Sequence, residues 1–320
     1  MTTRIDPPTN AISFDLEHWH SATLVADSVQ DPVDRIEQST AIVLDLLDRH
    51  DVRATFFVVG EVAAAYPDLV GRIAAAGHEI ASHGHTHTPL FQLTPREFDD
   101  ELRRAAAAIG DAAGVEPVGF RAPNFSVTPR TEWAFPVLEV NGYRYDSSVF
   151  PVRTPMYGVN RAAIEPHPVE PAAPFRAGDD TTTEGGLVEV PVAVAGPLLR
   201  LPVAGGFYGR FLPTRILHWA IERIQRRGVP ATLYFHPWEF NPDVPTDEPA
   251  IHERFVSFTG IDGAAAKLDR LLQSFEWGPV RSVVERVRNP SADEPGPHVA
   301  QDRHGELRSV RETAATRQGR

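Results

Sequence analysis

The chain alternates short apolar runs with longer stretches in which apolar residues recur at helical spacing. Residues 11–17 (AISFDLE) and 53–60 (RATFFVVG) are apolar runs of strand length, and the first of them ends in two acids. Residues 34–50 and 94–110 place apolar side chains three and four positions apart, which predicts two helices. Strands that alternate with helices predict an α/β fold with a parallel sheet, either open or closed into a barrel.

Local signals predict where several helices begin and end. Thr94 and Pro95, followed by Glu97, have the pattern of an N-cap with a capping box. Residues 61–77 are helical in composition, but Pro67 predicts a break. The other predicted elements are short strands within 78–83, 118–124 (VGFRAPN), 143–148 (YRYDSS) and 231–240 (ATLYFHPWEF), and helices at about 213–227 and 263–275.

Two regions depart from the alternation of strands and helices. Residues 151–186 are rich in proline, alanine and threonine, and we expect an irregular insertion over one face. From residue 289 to 320 the chain has few large apolar residues and no periodicity, which predicts a disordered tail. The sequence therefore predicts one folded domain over residues 1–288.

Composition excludes several classes of function. A formal net charge of −12, with Lys267 as the only lysine, argues against binding nucleic acid or anionic membranes through a broad basic surface. With no cysteine, a transition-metal site must use His, Asp and Glu, which suits a divalent cation such as zinc. We see no signal peptide and no apolar run of about 18 residues, so we expect a cytoplasmic protein without a membrane span.

Chemically capable side chains collect at the carboxyl ends of the predicted strands. They are Asp15, Glu17, His83, Arg121, Asp146 and His236. Active sites form at these ends in both open sheets and barrels, and convergence from several strands favours a barrel-like arrangement. Asp15 and Glu17 lie two apart and share one face of a strand. Two carboxylates buried side by side are costly unless a cation or a proton compensates them, although one such acid alone is typical of a helix cap or turn.

The stretch HEIASHGHTH (78–87) holds four of the 13 histidines. His83 and His87 have the spacing that lets two imidazoles share a metal from one helical face or one turn. His83, His85 and His87 would instead share one face if the strand continued. A polar loop with solvated histidines fits the same letters. The histidines alone leave these alternatives open, and the paired acids favour a metal site.

Five stretches occur in the order typical of one enzyme family: SFDLE (13–17), GHEIASHGHTH (77–87), FRAPN (120–124), GYRYDSS (142–148) and LYFH (233–236). On these motifs the chain resembles the polysaccharide deacetylase family, carbohydrate esterase family 4, also called the nodulation-type chitooligosaccharide deacetylase homology domain. FDLEHW, FRAPNFS, YRYDSSVFP, GGFYGRFLP and YFHPWE further resemble its subgroup associated with exopolysaccharide and exosortase loci. The resemblance implies a distorted (β/α)7-type barrel. It also implies metal-dependent hydrolysis of N-acetyl, or sometimes O-acetyl, groups on a glycan.

The resemblance also implies which residues hold the metal and which acts as base. His83 and His87 match the two metal-binding histidines, and Asp15 matches the general base. The family usually has a metal-binding aspartate directly after the base, but Leu16 stands there in this chain. Glu17 is the best replacement, which leaves open whether Asp15 or Glu17 is the metal ligand. The expected ion is a single divalent cation, Zn²⁺ first, with Co²⁺ and Ni²⁺ as alternatives.

The remaining family roles fall on five residues. His236 matches the general acid, with Asp146 as the partner that raises its pKa, and Arg121 matches the residue that orients the base. The backbone N–H of Asn124 matches the group that binds the oxyanion, and Trp238 could stack on a sugar. From the residues alone, Arg121 is equally a structural ion-pair partner, Asp146 a turn cap, His236 a core histidine and Trp238 a core or lid residue.

Three functions stay open after this comparison of motifs. The first is a glycan N-deacetylase acting on N-acetylhexosamine units of a glycan or its precursor, with exopolysaccharide biosynthesis as the expected setting. The second is an amidohydrolase acting on small cyclic imides or ureides, which the Asp-x-Glu spacing makes credible. The third is a glycan-binding protein that has lost catalysis, against which the complete set of candidate residues argues. The oligomeric state does not follow from the sequence.

Overall fold

A computed structural model describes residues 8–289, except 23, 27, 155–156, 179–184, 198–199 and 246–248. Its strands are β1 Asn10–Leu16, β2 Thr55–Val58, β3 Glu79–Ser82, β4 Gly119–Phe120, β5 Tyr145–Asp146, β6 His167–Pro168, β7 Val188–Glu189, β8 Val194–Ala195, β9 Leu201–Pro202, β10 Thr232–Phe235 and β11 Trp277–Gly278. Its α-helices are α1 Ile36–Arg49, α2 Gly60–Ala65, α3 Pro67–Ala75, α4 Pro95–Ala113, α5 Ala134–Val140, α6 Gly206–Phe211, α7 Thr214–Gln225, α8 Ile251–Phe258, α9 Ile261–Ser274 and α10 Val280–Arg288.

Most of these strands form one curled sheet. Nine strands of the described chain lie in the order β10-β1-β2-β3-β4-β5-β7-β6, with β11 also beside β1. Every pair in this sheet is parallel except β6 with β7. Beyond β7, the N–H of Ala193 donates to the carbonyl of Thr232 in β10 at 2.9 Å, so the two ends of the sheet approach each other. The mostly parallel sheet with its helices is thus a half-barrel, and the predicted distorted barrel class is confirmed.

Strand β1 shows why this sequence builds the centre of the sheet. All seven of its residues are buried. Ile12, Phe14 and Leu16 pack into the main apolar core. Ser13 and Asp15 alternate with them and both accept hydrogen bonds from Arg121. The period of two therefore divides β1 into a core face and a polar face.

The strand register brings the predicted site residues to one end of the sheet. Phe14 of β1 pairs with Phe235 of β10, so the next residues, Asp15 and His236, emerge side by side. Ser82 at the end of β3 pairs with Phe120 at the end of β4. His83 and Arg121 therefore leave their strands at the same level. Because the strands are parallel, all these carboxyl ends open on one edge.

The structure confirms most of the predicted helices. Helices α1, α4, α7 and α9 match the predicted ones, and α2 and α3 are separated before Pro67 as predicted. Thr94 forms the predicted capping box, with its Oγ1 accepting from the N–H of Glu97 at 3.3 Å. Residues 205–213 contain a glycine turn and a short helix. Gly205, with φ 97°, makes the turn, and the six-residue helix α6 follows directly.

Several short elements escaped the sequence pattern. They are helices α5, α8 and α10 and the two-residue strands β6, β7, β8, β9 and β11. The described part of the insertion at 151–186 is irregular apart from β6. The predicted disordered tail lies, from residue 290 onward, outside the described residues. No helix in the described part of the chain is long and apolar enough to cross a membrane.

We expect Gly119→Ala to destabilise the sheet. A Cβ atom on Gly119 would lie 1.9 Å from Cζ of Tyr145, whose hydroxyl donates to Glu79 at 3.0 Å in the barrel interior. Overpacking of this kind costs about 1–3 kcal/mol, which urea unfolding would measure as a lower free energy of unfolding. Gly110→Ala on α4 is the control, because its nearest atom lies at 3.9 Å. Equal stability of the two variants would contradict this packing.

Candidate functional site

A pocket at the carboxyl edge of the sheet brings most of the predicted site residues together. The predicted residues in its lining are Asp15, Glu17, His83, His87, Asn124, His236 and Trp238. Arg121 lies directly behind Asp15 and is fully buried. Asp146 is not part of the lining.

Glu17, His83 and His87 form a candidate metal site. One ligand atom from each lies within 4.8 Å of the others, and His87 Nε2 contacts Glu17 Oε2. His83 Nδ1 lies 2.7 Å from the carbonyl oxygen of Arg121. A carbonyl only accepts hydrogen bonds, so Nδ1 carries the proton and Nε2 keeps its lone pair for a cation. Two imidazoles and a carboxylate are a donor set suited to a divalent transition metal.

The electrostatics of these groups fit the same purpose. Burial lowers the pKa of His83 to about 4, so this imidazole is neutral near neutral pH. Burial raises the pKa of Glu17, but the neighbouring His87 and His236 outweigh it and lower the pKa to about 2. Burial lowers the pKa of His87, and contact with Glu17 outweighs it and raises the pKa. The ionised Glu17 thus favours protonation of His87, and a cation would compete with that proton because only neutral imidazole binds a metal.

The histidine stretch is a turn. Strand β3 ends at Ser82, so the alternative in which three histidines share a strand face does not hold. The backbone takes left-handed conformations at Gly84 (φ 74°) and at His87 (φ 59°), the second of which is unusual for a non-glycine residue. Glu101 on α4 fixes the turn by accepting from the backbone N–H of Thr86 at 2.8 Å. The two histidines of the HxxxH pair, His83 and His87, are therefore positioned by a turn that Glu101 holds in place.

Asp15 lies beside the three candidate metal ligands and is held by Arg121. Arg121 Nη1 donates to Asp15 Oδ1 at 2.7 Å and to Ser13 Oγ at 2.9 Å. The other carboxylate oxygen of Asp15 lies 4.0 Å from His83 Nε2. The guanidinium also sits 4.1 Å over the ring of Phe57. Asp15 is therefore a buried carboxylate with one oxygen paired to Arg121 and the other turned toward His83, a candidate metal ligand.

The predicted partner of His236 was wrong. Asp146 accepts a hydrogen bond from Ser148 and sits beside Glu189, its register partner across β5 and β7. The carboxylate that contacts His236 belongs to Glu239, whose Oε1 lies 2.6 Å from His236 Nδ1. The reason is local, because a 3-10 turn at Pro237–Phe240 brings the acid three residues after His236 back over the ring.

His236 is half-buried and lies between acids on both sides of its ring. Its Nε2 lies 3.5 Å from Glu17 Oε1, opposite the contact with Glu239. Burial lowers the pKa of His236, but Glu17 and Glu239 outweigh it and raise the pKa to about 9. The ring is therefore protonated near neutral pH in the metal-free protein.

Glu239 is a site residue that sequence reasoning missed. It is 1% exposed, lines the pocket and lies 3.4 Å from Nε of the buried Arg210. The usable signal was an acid three residues after a candidate catalytic histidine, with a proline between them that starts a turn. Arg210 carried no such signal, because only the folded chain brings it near.

Trp238, the residue predicted to stack on a sugar, is mostly buried. It lines the pocket, but it is only 4% exposed and its ring stacks on His236 at 5.3 Å and 19°. Trp238 therefore packs against His236, and its stacking on a sugar stays a prediction. Asn124 lines the pocket in a left-handed conformation, φ 56°.

Asp146 and Glu189 form a separate, fully buried pair of acids. Burial raises the pKa of Asp146 to about 6. Burial, together with the neighbouring Asp146, raises the pKa of Glu189 well above its ordinary range. Glu189 Oε1 also accepts from the N–H of Val149 at 3.0 Å. The pair is thus stable when it holds a proton, and it supports the strand ends rather than lining the pocket.

Two family models match the chain side by side. Residues 21–145 match the polysaccharide deacetylase family, a match that begins after β1 and its two acids. Residues 147–285, including His236, Glu239 and Arg210, match a domain of unknown function, DUF3473. The two matched segments contribute neighbouring strands to one sheet, because β5 of the first pairs with β7 of the second.

Named relatives resemble only part of the chain. It is 37% identical over 121 residues to a chitooligosaccharide deacetylase of Bradyrhizobium sp., covering 31% of this chain and 55% of that protein. It is 36% identical over 84 residues to a peptidoglycan-N-acetylglucosamine deacetylase of Bacillus cereus, covering 26% and 30%. The chain thus spans about half or less of these relatives' own lengths.

A solved structure shares the fold over nearly the whole chain. It is a crystal structure from Mycobacterium smegmatis, provisionally described as a polysaccharide deacetylase. The TM-score is 0.59 at 22% identity, over 90% of this chain and 96% of that one. At this identity the likeness shows the fold alone.

We expect Glu189→Gln to flatten the pH dependence of stability. In the unfolded chain the carboxyls of Asp146 and Glu189 both ionise at about pH 4. The native pair has raised pKa values, so above about pH 4 the native state binds more protons than the unfolded state. The free energy of unfolding therefore falls as the pH rises through about 6 and beyond. Urea unfolding from about pH 5 to about pH 8 should show a smaller loss of unfolding free energy in the variant than in the wild type. Equal losses in the two proteins would refute a shared proton.

Proposed function

We propose that this chain hydrolyses N-acetyl groups on a glycan with the help of a divalent metal ion, and the match of residues 21–145 to the polysaccharide deacetylase family supports this proposal. One observation carries the proposal. A single pocket joins a Glu-His-His donor set, a carboxylate held by a buried arginine, and a histidine paired with an acid. These are the parts that metal-assisted amide hydrolysis needs.

Glu17, His83 and His87 would hold the cation. Zn²⁺ suits two imidazoles and one carboxylate, and Co²⁺ or Ni²⁺ can take the same donors. A bound divalent cation would polarise the acetyl carbonyl and make a nearby water more acidic. In this assignment Glu17 fills the ligand position that Leu16 cannot fill, and Asp15 stays available as a base.

Asp15 is the proposed general base. One oxygen of its carboxylate accepts a hydrogen bond from Arg121, and its second oxygen faces His83 at the pocket. It would take a proton from the water that attacks the carbonyl carbon of the acetyl group. In the same proposal, the backbone N–H of Asn124 donates a hydrogen bond to the oxygen that gains negative charge.

His236 is the proposed general acid. Its Nδ1–H donates to Glu239, so Nε2 is the ring nitrogen on the pocket side, toward Glu17. Nε2–H would pass its proton to the nitrogen of the departing sugar amine as the C–N bond breaks. The products are acetate and a free amine. Asp146 has no part in this scheme.

We further propose that residues 1–288 act as one catalytic domain, because strands from both matched segments share the sheet that carries the site. The glycan is proposed to be built from N-acetylhexosamine units. The pocket is open to solvent, which supports a glycan over a small cyclic imide held in a closed cavity. The complete set of acid, base and metal groups argues against a binding protein without catalysis. An exopolysaccharide role and a cytoplasmic location stay predictions.

We expect His83→Ala to lose both the metal and acetate release. The measurements are metal content of the purified chain and acetate released from N-acetylglucosamine oligomers, before and after a chelator and re-addition of Zn²⁺. Loss of a ligand should lower activity at least about 100-fold with the fold intact by circular dichroism. His252→Ala is the control, since that side chain is 79% exposed. Full activity in His83→Ala would refute the metal site. Bound metal without acetate release would direct the search to cyclic imides and other amides.

We expect Asp15→Asn to separate the base from the metal ligands. The variant should bind as much Zn²⁺ as the wild type, because Glu17 and the two histidines remain. Its acetate release should fall about 100-fold to about 10,000-fold, the range for loss of a general base. Metal content and acetate release on the same sample give the answer. Loss of the metal in Asp15→Asn would make Asp15 a ligand instead.

A further inference from the structure

The ring of His236 is held from behind by one buried carboxylate. Glu239 Oε1 lies 2.6 Å from His236 Nδ1, and the glutamate is 1% exposed. The opposite ring nitrogen, Nε2, lies on the pocket side of the ring. Because a carboxylate accepts and does not donate, this contact places the proton on Nδ1 and sets the angle of the ring.

Glu239 is itself held by a second buried residue. Its other oxygen, Oε2, lies 3.4 Å from Nε of Arg210 on α6, and Arg210 is 5% exposed. The terminal nitrogens of Arg210 donate to the carbonyls of Thr259 at 2.7 Å and Val256 at 3.2 Å. The arginine is therefore fixed by the end of α8, and the direction of the carboxylate does not depend on its own turn alone.

The backbone of α6 leaves space for this carboxylate and for little else. A Cβ atom on Gly206 would lie 1.6 Å from Glu239 Oε1. The φ angle of Gly206 is not in the left-handed region, so its glycine is needed for space and not for conformation. Helix α6 thus contacts Glu239 through both a charged side chain and a bare backbone.

We propose that Glu239 is a positioning residue that orients His236 for proton transfer, and that Arg210 and Gly206 fix Glu239 in place. This gives the segment matched by DUF3473 a defined task, since all four residues lie within 147–285. The inference rests on the proposed role of His236 as general acid. The carboxylate of Glu239, in the turn that follows β10, takes the place of Asp146 at the end of β5, the partner expected from the sequence.

A double-mutant cycle tests whether Glu239 acts through His236. Glu239→Ala should lower kcat for acetate release about 100-fold with KM changed less than about twofold, since orientation of the acid matters only in the transition state. In a His236→Ala background the same change should cost less than about threefold. Glu239→Gln keeps an acceptor oxygen and should recover activity to within about tenfold of the wild type. An equal loss in both backgrounds would overturn the proposal.

Gly206→Ala tests the geometry without removing a charge. The new methyl group should displace the Glu239 carboxylate, which is the flexible end of its side chain, and lower kcat as Glu239→Ala does. Urea unfolding of Gly206→Ala checks that the variant is folded at the assay concentration, since overpacking at a buried site can also lower stability. Gly263→Ala on α9 is the matched control, because no atom lies within 4 Å of the added Cβ. Wild-type activity in Gly206→Ala would contradict the contact.

Histidine side-chain NMR separates this inference from the proposed function. The metal-free protein should show a strongly downfield Nδ1–H resonance that disappears in His236→Ala, as expected for a proton shared with a buried carboxylate. The resonance should be lost in Glu239→Ala and Gly206→Ala and kept in Gly263→Ala. An unchanged resonance in Glu239→Ala would refute the positioning role. If the wild type releases no acetate from any substrate, the proposed function fails while this test of orientation still stands.

Discussion

The buried guanidinium of Arg121 is the contact on which the site and the sheet both depend. It donates to Asp15 on β1 at 2.7 Å and to the carbonyl of Ser147 beyond β5 at 3.0 Å, and lies over Phe57 of β2. Leaving such a charge unpaired costs about 3–5 kcal/mol, so these strands must keep their register. The carbonyl of the same residue accepts from His83 Nδ1–H. One residue therefore orients the candidate base and a candidate metal ligand together.

The candidate site residues come from two stretches, 21–145 and 147–285, that match different family models. The first supplies the histidines and Arg121, and the second supplies His236 with the groups behind it. Strand β1 joins them, since it pairs with β2 on one side and β10 on the other. Asp15 on β1 and Glu17 just after it lie at this junction and face groups from both stretches. Neither stretch contains all of the candidate site residues, so the segment of unknown function is part of the fold that builds the candidate site.

Sequence reasoning found the candidate ligands and the candidate base because they follow strands with strong patterns. Asp15 and Glu17 end a run whose alternation is visible in the letters, and HxxxH follows the next-but-one strand. The partner of His236 could not be found in this way. Asp146 also ends a strand, but its side chain turns to Glu189, 43 residues later, and that choice depends on the packing of β5 against β7. Residues that meet only through tertiary contacts, such as Arg210 and Glu239, produce no periodic pattern in the sequence.

The pairing of β1 with β10 also bears on how such a protein can change its substrate. Four consecutive residue pairs, Ala11–Thr232 to Phe14–Phe235, fix the spacing between the strand that carries Asp15 and the one that carries His236. The distance from the proposed base to the proposed acid is therefore a property of the sheet, while the pocket walls come largely from loops and from α6. Insertions and exchanges in those walls can alter the ligand that fits without changing the spacing of Asp15 and His236.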